Sequence, residues 1–359
     1  MSNNNEHKFH YEWTLKDANF TKDKGKVFSC FACGGGSTMG YKLAGFDVIG
    51  CNEIDPKMME AYRTNHNPKY SYLEPIQTFK LRKDLPKELY QLDILDGSPP
   101  CSSFSMAGNR EKDWGKNKKF REGQAEQVLD NLFFDFIDLA NELQPKIVVA
   151  ENVKGLLQGN AIKYVRKIYT EFEKAGYYVQ HFLLDASKMG VPQRRERVFF
   201  IALRKDLAAP FLYQKDMFTL MPKLNMEFNE KEILFKEIYD NNTDRALTGA
   251  VLNIYKQVKE GETDLRYAAE RIKGKQDFFG YKLTYKNSVP LTILSSDNVI
   301  VYGESRYRNI KELHRCGTYP IDYDFINNKP EYLIGMSVPP VMMAQIATQI
   351  YQQWLCKIK

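Results

Sequence analysis

Lys26-Val27-Phe28-Ser29-Cys30-Phe31-Ala32-Cys33-Gly34-Gly35-Gly36-Ser37-Thr38-Met39-Gly40 joins an apolar, β-prone run to a glycine turn and then to a helical stretch closing at Ala44-Gly45. The order is strand, turn, helix. Glycines let the chain turn tightly and let a ligand approach the backbone, whose free amides at a helix start attract polar or anionic groups. The next apolar run ends in Asn52-Glu53-Ile54-Asp55-Pro56, placing a carboxylate less than about twenty residues after the turn, where nucleoside-binding α/β folds meet ribose hydroxyls. Asp55 before Pro56 reads as the cap of the following helix, which leaves Glu53 as the ribose candidate.

Working outward, strands are expected over 26–32, 46–53, 92–96, 146–150, 177–184 and 197–203, with helical periodicity over 128–143 and 161–175. Alternation of this kind predicts an α/β sheet with helices on its faces. Beyond Arg204 the sequence turns irregular, aromatic-rich and basic to about Tyr285, after which an organised pattern returns and ends in a helical stretch over 341–355. The expectation is an α/β domain interrupted by an insertion. With 359 residues, 43% hydrophobic and 27% charged, the chain has the composition of an ordinary globular protein with a substantial core. Its polar N-terminus and the absence of any obvious membrane-length apolar run predict a cytoplasmic protein with no membrane partner. The net charge of +6 suits a polyanionic partner without demanding one. Six cysteines over this length read as reduced thiols, and Cys30-x-x-Cys33, lacking a second pair, predicts no metal site.

Three strand ends carry chemistry. The run Leu92 to Asp96 stops at Gly97-Ser98-Pro99-Pro100 and presents Cys101 where a nucleophile would sit; Cys as packing filler is the alternative. Lys146 to Ala150 delivers Glu151-Asn152-Val153, whose carboxylate burial should tune for proton transfer. Gln193-Arg194-Arg195-Glu196-Arg197 leads into the last strand. A thiol, a carboxyl and guanidinium groups beside a nucleoside pocket suit one reaction. A thiolate adding to carbon 6 of cytosine, with N3 protonated or hydrogen-bonded by the carboxyl, makes carbon 5 nucleophilic. Arginine can hold the base carbonyl and favour the thiolate.

At these residues the chain resembles a C5-cytosine DNA methyltransferase. The matching motifs run in family order: Phe31 to Gly40, Asn52-Glu53, Pro100-Cys101 with Phe104-Ser105, Glu151-Asn152-Val153, Gln193 to Arg197, Arg306 with Ile310 to Pro320, and Gly335 to Pro340. The resemblance implies a Rossmann-like S-adenosylmethionine-dependent methyltransferase domain with a smaller inserted target-recognition domain. The segments would be an N-terminal extension over 1–24, the catalytic and cofactor domain over 25–204, target recognition over 205–285, and a C-terminal segment over 286–359 completing the catalytic domain. It makes Cys101 the nucleophile, Glu151 the group at N3, and Arg195 and Arg197 the orienting arginines. Around S-adenosylmethionine, whose product is S-adenosylhomocysteine, it places Phe31, Ala32, Gly34, Gly36, Glu53, Ile54, Ile76, Pro100, Leu132, Ser337 and Val338.

The substrate implied is double-stranded DNA with the target base flipped out of the helix. Contacts fall to Ser105, to Arg110, Lys112, Lys116, Lys118, Lys119 and Arg121 in a loop with six basic and two acidic residues, and to Arg306. Arg266, Arg271, Lys273 and Lys275, with Tyr267, Phe278 and Phe279, offer further DNA contacts in the insertion. A monomer is expected, with a restriction endonuclease as a functional rather than physical companion and the nucleoid as its place in a prokaryotic cell. Cys33, Pro75 and Met336 depart from the family pattern, standing for a loop glycine, the adenine-binding Asp and a motif Asn. An RNA methyltransferase of the same family and a catalytically weak DNA-binding relative are the alternatives.

Overall fold

The computed structural model describes residues 7–100, 117–118, 127–128, 131–216, 219–278 and 280–358. Chain contacts divide it into two compact units, one of 19–185, 196–227 and 343–359, the other of 1–18, 186–195 and 228–342.

The first unit is built on β1 (Lys26–Cys30), β2 (Asp47–Glu53), β3 (Tyr70–Leu73), β4 (Ile94–Gly97), β5 (Ile147–Val153), β6 (Tyr177–Asp185) and β7 (Glu196–Arg204). Their order in the sheet is β3-β2-β1-β4-β5-β7-β6. The pairs from β3 to β5 are parallel, whereas β7 runs antiparallel to both neighbours. Ile147, Val148, Val149 and Ala150 are fully buried because β5 is central and covered on both faces, which is why it reads as an unbroken apolar run. The chain winds outward from β1 to β3 and then returns to the far side of β1 as β4. Between the carboxyl ends of β1 and β4 lies the switch point at which open α/β sheets hold ligands.

Helices cover the sheet for reasons visible in their spacing. In α4 (Ile162–Lys174), Val165, Ile168 and Phe172 fall on one buried stripe while Lys163, Arg166 and Lys167 face solvent. In α3 (Leu132–Leu143), Phe133 meets Phe200 of β7 edge-on at 5.4 Å. This helix starts four residues later than its periodicity suggested, and residues 127–128 pair instead with 117–118 as a short antiparallel ladder. Two further helices are α1 (Gly36–Leu43) and α2 (Pro56–His66). The C-terminal residues close this unit, with Trp354 fully buried and its indole N–H donating to the Lys223 carbonyl at 2.8 Å.

The second unit is held by buried ion pairs as much as by apolar packing. Arg308 and Asp297, 0% and 1% exposed, pair side by side, and Arg308 also donates to the Leu291 carbonyl at 2.8 Å. These links run between residues 286–342 and tie them to 228–285 through Arg245, which donates to the carbonyls of Asp297 and Arg308. By chain contacts, 205–227 and 343–359 fall in the sheet unit and 286–342 in the other. The N-terminal stretch is likewise integrated, since Trp13 donates to the Thr318 carbonyl at 2.9 Å and the Leu15 and Lys16 amides donate to Asp322.

One stretch, Pro330–Lys357, does reach membrane-crossing length and hydropathy, contrary to the sequence expectation. Of its most apolar 18-residue window, 83% is buried, as in a core segment.

Candidate active site

The glycine turn after β1 alternates left-handed backbone, with φ of 52° at Phe31, 49° at Cys33 and 85° at Gly35. Cys33 thus stands where glycine is favoured and carries a conformational cost of about 1 kcal/mol. Gly35 has no such cost, and it has no alternative: a Cβ there would lie 2.1 Å from Nε2 of His66. His66 itself packs edge-on against Tyr62, its Nε2 3.2 Å from the Gly34 carbonyl oxygen, and burial pushes its pKa down to about 3. A neutral imidazole with a carbonyl partner places its N–H on Nε2. Tyr62, one turn earlier on α2, reaches the Thr38 hydroxyl at 2.8 Å. The helix therefore grips the turn at two points.

Glu53 grips it at a third. Its Oε2 accepts the Cys33 amide at 2.8 Å, and its Oε1 accepts those of Ile54 and Asp55 at 2.9 Å each. Burial raises its pKa, the amides opposing the shift. A carboxylate has about four lone-pair directions, so three amides leave acceptor capacity for a hydroxyl ligand. Asp55 caps α2 as its spacing indicated, accepting the Lys57 and Met58 amides. Ile76 and Leu132 are buried in the sheet unit's apolar cluster, against which Phe31 packs. Phe31, Ala32, Gly34, Gly36, Glu53, Ile54, Ile76, Pro100 and Leu132 all lie in the sheet unit, whereas Ser337 and Val338 lie in the other. Ser337 is buried there, accepting from the Tyr319 hydroxyl at 2.7 Å. Pro75 begins the single turn Ile76–Phe79, and neighbouring Glu74 is committed to Arg82 at 2.8 Å.

On the chemical side, β5 and β7 bring Glu151 and Arg197 together. Val153 pairs with Arg197 and Glu151 with Phe199, so the two side chains share one face near the strand ends. Nε of Arg197 lies 2.9 Å from a Glu151 oxygen, with the side chains 18% and 13% exposed. Asn152, between them in sequence, donates to the Pro99 carbonyl at 3.2 Å and accepts the Val153 amide at 2.9 Å. It thereby fastens the Ser98-Pro99-Pro100 segment to β5. This positioning role went unread in the sequence, although Asn152 sits inside a motif already singled out. Gly97 is obligatory for packing, since a Cβ there would meet the Phe136 ring at 2.6 Å.

Two expected site arginines are buried and have protein partners. Arg195, taken as an orienting residue, is 2% exposed and donates to the carbonyls of Ile293, Gly335 and Ser337, all within its own unit. Within its unit it braces backbone. Arg306, expected on DNA, is 1% exposed and uses all five N–H donors on Glu304, Glu312, Asp240 and Tyr307. In the insertion, Arg271 is likewise paired with Glu262, and Arg266 lies 3.3 Å from Asp264. Cys101, Ser105, Arg110, Lys112, Lys116, Lys119 and Arg121 lie outside the described residues, and Lys118 is described only as part of the short ladder.

A mostly parallel seven-stranded sheet with one reversed strand carries the glycine turn at its switch point, faced by an acidic strand end, an arrangement suited to S-adenosylmethionine. The donor set fits that cosubstrate: a backbone cradle that admits close approach, and a buried carboxylate with acceptor capacity beside it. The sequence model of the C-5 cytosine-specific DNA methylase family matches residues 25–352, and the chain belongs to that family. It is 38% identical over 182 residues to the Type II methyltransferase M.FnuDI of Fusobacterium nucleatum, a match covering 51% of this chain and 48% of that protein. With the Type II methyltransferase M1.HphI of Haemophilus parahaemolyticus it shares 29% identity over 337 residues, covering 89% of this chain and 85% of the other. The crystal structure of a Spodoptera frugiperda DNMT2 mutant has the same fold, with a TM-score of 0.61, 18% identity, and coverage of 89% and 98%.

Proposed function

We propose that this protein methylates carbon 5 of a cytosine flipped out of duplex DNA, through a transient covalent bond between Cys101 and carbon 6. The observation that carries the reading is the Glu151–Arg197 pair at the ends of β5 and β7, beside the Pro99-Pro100 segment that Asn152 fastens and that runs directly into Cys101. S-adenosylmethionine supplies an electrophilic methyl group on its sulfonium. The Cys101 thiolate adds to carbon 6 while the Glu151 carboxyl gives a proton or hydrogen bond to N3, so that the electron pair arrives at carbon 5. Arg197 keeps the Glu151 carboxyl fixed and offers further N–H donors to the base carbonyl. Once carbon 5 has taken the methyl group, a base removes its proton and the Cys101 thiolate is expelled. Every bond formed to the enzyme is broken again.

The basic side chains of Arg110, Lys112, Lys116, Lys118, Lys119 and Arg121 contact phosphates in this reading, and residues 205–285 supply base recognition. The protein acts as a monomer, with a restriction endonuclease as its functional companion, in the cytoplasm at the nucleoid. Bisulfite sequencing of DNA from bacteria expressing the chain tests the proposal. Protected cytosines at one recurrent sequence are expected, and lost when Cys101→Ala is expressed. Unprotected DNA alongside labelled tRNA would move the substrate to RNA, and no label in either would leave a DNA-binding protein without catalysis.

A further inference from the structure

Asp96 is a buried carboxyl that the proposed mechanism leaves unused. It lies in β4, opposite Ser29 of β1 and Val149 of β5, one residue short of the last rung of the sheet. The strand is otherwise apolar and Asp96 is 1% exposed. Its Oδ2 accepts the Ser29 hydroxyl at 2.8 Å and its Oδ1 the Tyr41 hydroxyl, from α1, at 3.2 Å. Among the described residues no cation pairs with it. The titratable groups facing it are Cys30 on β1, Tyr41 on α1, Tyr62 on α2 and Glu151 on β5, and none of them brings a positive charge. Burial, with the nearby Glu151 charge adding to it, pushes the Asp96 pKa up to about 7, against hydroxyl donors that pull the other way.

A negative group with only neutral donors among the described residues, set under the switch point, asks what its counter-charge is. S-adenosylmethionine brings one, because its sulfur is a sulfonium, whereas the sulfur of S-adenosylhomocysteine is a neutral thioether. We propose that Asp96 is a specificity-determining residue that favours the charged methyl donor over its neutral product through the field of its carboxylate. Charges in a poorly solvated interior act over several ångströms without direct contact. Methyl transfer removes the sulfonium charge, so the attraction ends with the reaction and the product is released more readily. The idea rests on the methyltransferase reading above.

Linkage fixes the sign. Donor binding favours the carboxylate, so below a pH of about 7 it must be accompanied by loss of the Asp96 proton and is weakened, while above that pH the anion is already present. Donor affinity should therefore rise with pH through neutrality relative to product affinity. The sulfonium lowers the amino pKa of the donor relative to the product, so Asp96→Asn, titrated with the same two ligands, supplies the baseline for that difference.

Isothermal titration calorimetry of both ligands against the full chain, from pH 5.5 to 8.5, tests this. The dissociation constant of S-adenosylhomocysteine divided by that of S-adenosylmethionine is expected to rise roughly tenfold across neutrality, the effect of moving one pKa by about a unit. In Asp96→Asn the ratio should stay low and show only that baseline, with product affinity within about twofold of the parent. A wild-type ratio independent of pH overturns the proposal without needing a folded variant, as does equal weakening of both ligands in Asp96→Asn. Failure of both ligands to bind wild type would instead overturn the methyltransferase reading, and the Asp96 proposal with it.

Discussion

Glu151→Gln is expected to lower methyl transfer by about two to four orders of magnitude, the range over which a positioned proton donor contributes. Glutamine keeps the length and an acceptor oxygen for Arg197, so the 2.9 Å contact can survive and the packing at the end of β5 is undisturbed. What is lost is the exchangeable carboxyl proton. Because the change leaves untouched Glu53 and His66, which hold the turn after β1, affinity for S-adenosylmethionine should stay within about threefold. Single-turnover transfer of labelled methyl groups to DNA, with binding measured separately, resolves the two. Transfer within tenfold of wild type would show that N3 is handled by another group.

Arg306→Ala should destabilise the second unit by about 3–5 kcal/mol, the cost of removing one partner from a buried, hydrogen-bonded ion pair. Glu312 is 0% exposed and would be left with an uncompensated charge, while Glu304 and the carbonyls of Asp240 and Tyr307 would lose donors. Glu312 also closes the capping box of helix Ile310–Gly317 by accepting the Asn309 amide, so the strain passes into that helix start. For a unit of this size the shift corresponds to roughly 10 °C in thermal midpoint. A phosphate contact would behave otherwise. Arg306→Ala would then keep its thermal midpoint and reduce the salt dependence of DNA binding by about one counterion.

The contrast shows what a sequence discloses and what it withholds. Strand and turn identities were legible wherever burial on both faces produces an unbroken apolar run, as in Val27–Phe28 and Ile147 to Ala150. β3 was not, because Tyr70–Leu73 is a short, half-exposed edge whose tyrosines and serine carry no apolar run. The cofactor side was legible in kind: a glycine turn, then Glu53. That Glu53 binds the turn itself through the Cys33 amide was not, since the spacing of two residues does not say which backbone group lies between them. Arginines were the least legible. A guanidinium saturated by Glu312 and Glu304 has the same letter as one that reaches a phosphate, and only the tertiary arrangement tells them apart. Likewise the second unit is held by pairs such as Arg308 with Asp297, which no change of composition marks.

The proposed chemistry turns on Cys101 making and then breaking a bond to the base. Duplex DNA carrying 5-fluorocytosine at the target position blocks the breaking step, because fluorine cannot leave carbon 5 as a proton does. Incubation with S-adenosylmethionine, followed by denaturing electrophoresis and peptide mapping, is predicted to yield a stable protein–DNA adduct at Cys101 with the methyl group incorporated, absent in Cys101→Ala. An adduct at another residue, or methylation of unmodified DNA by Cys101→Ala at the wild-type rate, would contradict the account.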